Sequence, residues 1–320
     1  MSLLYYYTVH TSLTLAALPQ IVEIYTLVAP KIAFSDPSLL LCMLAIAALH
    51  RAHVDSTPER QEEYVRQAVE YQNRSIGMLR AQLANITPEN CVGTFLSSSF
   101  LLIYTFASEP WLRYFSSGTP SEGCLDDVTR SLRLLRGVPS ILGHDNNAVF
   151  GWIMESPLRP IADGILHKPK GRFTPEQESH FAALRYFLIE DQNAGEEERR
   201  VCLEALHVLR EYAELLLDRQ AQQQIETVGL TMTWPVAVSE RYLAYLESHR
   251  RGALLVLAEY AVLFRRLRRY WWADAWGQML LTVTLELLPA DWRCSILQFH
   301  DESLNQLDAA VRGRRSCDGL

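Results

Sequence analysis

Apolar residues recur at three- and four-residue spacing along almost the whole chain, and no stretch sustains the period-two alternation of a half-buried strand. The pattern predicts an all-α fold, a single-domain multi-helix bundle with buried central helices. Helix starts are marked at Ser35-Asp36-Pro37, Thr57-Pro58-Glu59, Thr87-Pro88-Glu89 and Thr174-Pro175-Glu176. Each sets a capping side chain before a proline at the first helical position. After the second start, Tyr64, Ala68, Tyr71, Ser75, Leu79 and Leu83 fall on one face opposite Glu, Arg and Gln, which predicts an amphipathic helix lying on the core. The segments "LLLCMLAIAALH" and "GALLVLAEYAVLF" are apolar nearly all round and are the expected central helices. Polar joints at 115–123, 167–175 and "DQNAGEEE" are too short for interdomain linkers, so one domain is expected over residues 1–300, followed by a polar C-terminal tail at 301–320. No fixed-period repeat accompanies the three Thr-Pro-Glu starts.

Composition narrows the function classes. The chain has 320 residues, 49% of them hydrophobic and 21% charged, enough for a large core. Its 30 Lys and Arg against 37 Asp and Glu leave a net charge of -7, which argues against a dedicated polyanion binder. Cysteines 42, 91, 124, 202, 294 and 317 stand singly, without the close spacing of a zinc site, as suits reduced thiols in an intracellular protein. The uncharged N-terminal run lacks the basic start of a secretory signal. Cys91–Ser108 is apolar over a length that spans a bilayer, yet three consecutive serines favour a buried core helix, so no membrane span is expected.

No nucleophile elbow, phosphate-cradling glycine loop or H-E-x-x-H occurs, and no catalytic or metal site is expected. His50 and His53 share a helix face with no carboxylate or cysteine at ligand spacing. Asp126-Asp127 resembles half of a magnesium-diphosphate motif, but the third acid is missing and the first turn of a helix favours acids for dipole reasons alone. Glu259 interrupts "ALLVLAEYAVLF", where an unpaired carboxylate would be costly. Two readings stand: a carboxylate at the helix edge meeting a base such as Arg266, or a polar handle inside an apolar pocket.

The stretch "FRRLRRYWWADAWGQML" at 264–280 sets four arginines before three tryptophans, an arrangement found where proteins grip nucleic acid. Together with "YTVHTSLTLAALPQIVEIYTLVAPKIAFSDPSLLLCMLAIAALHRA", "YVRQAVEYQNRSIGMLRAQLANITPENC", "LRLLRGVPSIL" and the closing W-W-x-x-x-W-G, it resembles the regulatory region of fungal binuclear zinc-cluster transcription factors, particularly the sterol-uptake regulators. The resemblance runs from about residue 5 to residue 298. It implies that the W-W segment belongs to C-terminal helices enclosing an apolar cavity, and that no part of this chain contacts nucleic acid directly. Arg265, Arg266, Arg268 and Arg269 are then the exposed face and C-terminal turn of the preceding helix, while Trp272 and Trp276, four apart, share a helix face that excludes Trp271. The implied ligand-binding residues are Tyr260, Phe264, Trp272, Trp276, Leu280 and Glu259. The implied function is an effector domain of a transcription regulator, in nucleus and cytoplasm. It would sense a sterol- or isoprenoid-like molecule, pair as a homodimer, need no cofactor and control lipid or secondary-metabolite genes. The family often has glycine in place of Ala275, and this chain lacks the six-cysteine zinc cluster. An enzyme or accessory protein reusing the cavity, such as a cyclase, and an interaction domain without ligand are the alternatives.

Overall fold

Helix α14 (Arg251–Phe264) has every residue from Gly252 to Phe264 buried, because its sequence offers no polar face wide enough to meet water. Around it, in the computed structural model, which describes residues 2–115, 124–141, 147–166, 171–218, 227–293 and 296, fourteen further helices and no strand are found among the described residues. The expected tail at 301–320 lies outside them.

The chain opens with α1 (Leu3–Tyr6), a π turn (Tyr7–Thr11) and a 3-10 turn (Ser12–Thr14), then α2 (Pro19–Glu23), a second π turn (Ile24–Val28) and α3 (Ala29–Ala33). Pro30 donates no N–H to the turn before it, and the Tyr25 carbonyl accepts instead from the Tyr7 hydroxyl at 3.0 Å. Then come α4 (Pro37–Val54), α5 (Pro58–Ala84) and α6 (Cys91–Phe115), packed on one another. The later helices are α7 (Cys124–Ile141), α8 (Asn147–Met154), α9 (Arg159–Leu166), α10 (Pro175–Glu190), α11 (Glu196–Leu217), α12 (Thr227–Ala237), α13 (Glu240–Glu247) and α15 (Asp274–Leu287). Asp126 and Asp127 fall in the first turn of α7.

Three of the four marked starts begin helices where the capping pattern puts them. The Asp36 carboxylate accepts from the Leu39 N–H, α5 follows Thr57, and Thr174 forms a reciprocal capping box with Gln177. At the remaining start the Asn90 side chain accepts from the Thr87 N–H at 2.8 Å, closing a separate turn, so α6 begins three residues later at Cys91. Gly93 is required there: a Cβ at that position would lie 2.2 Å from Asp36 Oδ2, against the α4 cap.

Helices α4, α5 and α6 supply one part of the core and α11, α14 and α15 another, joined through α6 against α15 into a single apolar cluster. Pro37–Val54 and Cys91–Ser108 are long and apolar enough to cross a membrane, and 67% of each is buried within this bundle. On α5 the buried line is Val65, Ala68, Gln72, Ser75 and Leu79, while Leu83 stays exposed.

Candidate functional site: an aromatic cluster between α6, α14 and α15

The tryptophan-rich segment is not one helix. Helix α14 stops at Phe264, a 3-10 turn occupies Arg265–Leu267, and α15 starts only at Asp274. The arginines lie beyond the end of α14, and three of the four are half-buried. Arg266 donates to the Leu216 carbonyl at the end of α11 (3.3 Å). Arg269 donates to the Tyr270 hydroxyl (2.9 Å) and to Thr227 Oγ1 (3.3 Å). Arg266 and Arg269 thus tie the turn to the end of α11 and the start of α12, and Leu267 anchors it in the core.

The turn sends the adjacent rings of Trp271 and Trp272 in opposite directions. Trp272 is buried and stacks towards Phe106 of α6 at 6.4 Å. Trp276, one turn into α15, meets Phe106 edge-on at 4.6 Å and Phe264 at 4.6 Å. Phe106 and Phe264 meet at 5.5 Å, Phe264 meets Tyr260 at 6.0 Å, and Tyr260 stacks on Trp234 of α12 at 4.5 Å. Leu280, four residues after Trp276, is fully buried. Thus Tyr260, Phe264, Trp272 and Trp276 are joined by ring contacts, and Phe106 and Trp234 complete the set. Neither of those two stood out in sequence: Phe106 is one apolar residue of a long apolar helix, and Trp234 lies far from the tryptophan motif. Close packing also explains Gly277, where a Cβ would come within 3.0 Å of the Phe264 ring. Ala275, by contrast, points to solvent, so its methyl group takes no room from the cluster.

Three polar atoms in this cluster, Tyr260 Oη, Trp272 Nε1 and Trp276 Nε1, are buried without a hydrogen-bond partner among the described residues. Burial alone pushes the Tyr260 phenol far above its ordinary value, so it stays protonated and able to donate. The neighbouring Trp234 and Tyr242 show the usual outcome, their N–H and O–H donating to the Ala205 and Ala253 carbonyls.

Glu259 takes neither of the two positions its sequence context suggested. It is buried, not at the helix edge, and its Oε2 lies 2.8 Å from His180 Nε2 on α10. Successive residues of a helix are about 100° apart, so Glu259 faces α10 while Tyr260 faces α12. A sequence signal for the pair existed only in part, since His180 sits on the buried side of α10 with Phe181 and Leu184.

On the outer side of the turn, Trp271 donates to Thr14 Oγ1 (3.0 Å) and its ring lies parallel to the His50 imidazole at 4.7 Å. His50 Nδ1 in turn meets Thr11 Oγ1 at 3.0 Å, so the N-terminal helices are strapped to α4 and to the turn. His53 lies near the same indole, 5.6 Å away. No group of three or more His, Cys, Asp or Glu side chains among the described residues is placed to hold a metal.

Burial, assisted by His53 and His10, pushes the His50 imidazole down from 6.5 to about 4. The folded value lies below the unfolded one, so His50 contributes fully above about pH 6.5, and its contribution is lost as pH falls towards 4. The loss amounts to no more than roughly 3 kcal/mol, reduced by solvent screening because the ring is not fully enclosed. His50→Asn should therefore flatten the fall in unfolding free energy between pH 7 and 4.5, measured by urea denaturation. An unchanged slope would remove His50 as its source.

Residues 2–124 match the family model of the fungal specific transcription factor domain. A Zn(2)-C6 fungal-type transcription factor of Gibberella zeae is 22% identical over 274 residues, which cover 84% of this chain and 54% of that protein. The chain thus spans about half the length of this curated relative.

Proposed function

We propose, from the match of residues 2–124 to the fungal specific transcription factor domain, that this chain is the regulatory part of a fungal transcription regulator acting in the nucleus. Its aromatic cluster is the receiving site for a hydrophobic small molecule of sterol or isoprenoid size. The relative of the zinc-cluster class supports the regulatory role. The ligand role is supported by one observation above others: Tyr260 Oη, Trp272 Nε1 and Trp276 Nε1 are buried unpartnered within a single set of touching rings. A buried donor left unsatisfied costs about 1–3 kcal/mol, and each such group calls for an explanation. An apolar molecule bearing an oxygen acceptor would match the rings with its body and the donors with its oxygen. The rings touch at 4.6 Å, so such a molecule enters by parting them, with Trp276 and α15 moving from Phe106.

The reading divides into two measurements. Titrating the protein with a panel of sterols and isoprenoids should quench tryptophan emission and raise the melting temperature. Stabilisation reaches about 2.7 kcal/mol when free ligand is a hundredfold above Kd. Joined to an unrelated DNA-binding domain in a fungal reporter strain, the chain should make transcription respond to the sterol or isoprenoid that scores in the titration. No thermal shift from any compound would remove the ligand, and a silent reporter would remove the regulatory role.

A further inference from the structure

Five of the eleven exposed large apolar side chains among the described residues fall within the first thirty-four positions, a concentration that marks a face. Tyr5, Val9 and Leu13 follow one another at four-residue spacing on the first helical run. Leu27 and Phe34 project from the second, 63% and 81% exposed. The two runs meet where the 3-10 turn Ser12–Thr14, which carries Leu13, packs on the π turn Ile24–Val28, which carries Leu27. Both runs are helical, so their backbone groups bond within the run and offer no strand edge for an extended peptide to join. What this face offers a partner is its side chains.

Two charges bracket it. Glu23 lies four residues before Leu27 and Lys31 four residues after it, and both are exposed. Neither takes part in an ion pair among the described residues. Among the first thirty-four residues they are the only acidic side chain and the only Lys or Arg. Eight helical residues set them roughly 12 Å apart, close to the length of two helical turns. Opposite charges at that spacing complement the two ends of a helix laid between them. The carboxylate meets the positive N-terminal end of its dipole and the ammonium meets the negative C-terminal end. A lipid surface is a poorer match, because it would take Glu23 beside its apolar anchors and the net charge of -7 gives no attraction to anionic headgroups.

We infer that this face docks an amphipathic helix of another protein, two to three turns long, with its N-terminal end over Glu23 and its C-terminal end over Lys31. Its apolar side chains at i, i+4 and i+7 rest on Leu13, Leu27 and Phe34. Burial of those side chains supplies the affinity, and the two charges set the direction in which the helix lies. Five apolar residues make a small interface, so the contact is reversible. The inference depends on neither the aromatic cluster nor any ligand.

A displayed library of helices about twelve residues long tests it, with apolar residues fixed at i, i+4 and i+7 and the other positions varied. The full chain is the bait, and the full chain carrying Leu27→Asp is the counter-bait. Helices retained by the parent and not by the variant are expected. For a peptide so obtained, fluorescence anisotropy should show Leu13→Asp and Phe34→Asp each raising Kd by about tenfold or more. All three variants lie at exposed positions and should keep the parent's melting temperature. Glu23→Lys and Lys31→Glu should each weaken binding by about two- to fivefold at low salt. Combining them should restore it with the peptide turned end for end, which a nitroxide at one end of the peptide reports through the resonances it broadens. A parent chain that retains no helix overturns the proposal, and so does binding indifferent to Leu27→Asp or to both single charge reversals. If sedimentation equilibrium shows the chain pairing with itself and Leu27→Asp dissolves the pair, the face belongs to a second copy and the proposal falls. Binding to phosphatidylcholine vesicles that Phe34→Asp abolishes would assign the face to lipid and overturn it as well.

Discussion

Glu259→Leu should destabilise the protein by about 3–5 kcal/mol, the usual consequence of removing one partner from a buried, hydrogen-bonded pair. His180 is then enclosed with its Nε2 facing an apolar side chain, where before it met a carboxylate oxygen at 2.8 Å. Glu259→Gln, which keeps the shape and an acceptor, should cost less, on the order of 1–2 kcal/mol. Adding His180→Phe to Glu259→Leu should recover a large part of the loss, because an apolar pair replaces a polar one and leaves neither partner stranded. Urea unfolding of Glu259→Leu, of His180→Phe and of the double variant gives the coupling directly. Additive losses would show that the two side chains do not act as a unit.

Trp276→Ala should cost a similar amount, about 3–5 kcal/mol, through lost transfer free energy and the void left between Phe106 and Phe264. Trp271→Ala should cost less, since that indole is half-exposed and gives up one hydrogen bond to Thr14 and one stacked contact with His50. The two variants separate more sharply in character than in size. Trp276→Ala acts on the rings that would receive a ligand and should abolish the fluorescence and thermal response to it. Trp271→Ala acts on the strap and should raise hydrogen exchange in residues 5–14 while leaving ligand response near that of the parent. Equal loss of ligand response in both variants would show that Trp271 and Trp276 do not lie on opposite sides of a functional boundary.

Much of this organisation is legible in sequence because it depends on local chemistry. A proline after a short polar side chain has few conformations besides a helix start, and Asp36, Thr57 and Thr174 behave accordingly. The all-round apolarity of α4 and α14 leaves the centre of the bundle as the place where both bury all their faces. The division of Trp272 and Trp276 from Trp271 agrees with the expectation in outcome but not in cause, since Trp272 precedes α15 and shares no helix face with Trp276. A turn at Trp271–Ala273 turns the first two rings apart, and α15 then brings the third to Phe106, which the second also meets.

What lies beyond sequence reading is every contact between residues remote along the chain. Whether Glu259 met an arginine, a ligand or His180 depended on which helix packed across α14, and residues 79 positions apart carry no local signal of one another. The same holds for Phe106 in the aromatic cluster, for the Arg266 guanidinium on the end of α11, and for the Tyr7 hydroxyl at the carbonyl facing Pro30. The sequence by itself determined the helical class, most of the helix starts and the buried helices. Tertiary structure alone decided which polar groups found partners and which, the three of the aromatic cluster among them, stayed unpartnered among the described residues, because hydrogen bonding in a core depends on the relative placement of whole helices and not on the spacing within one.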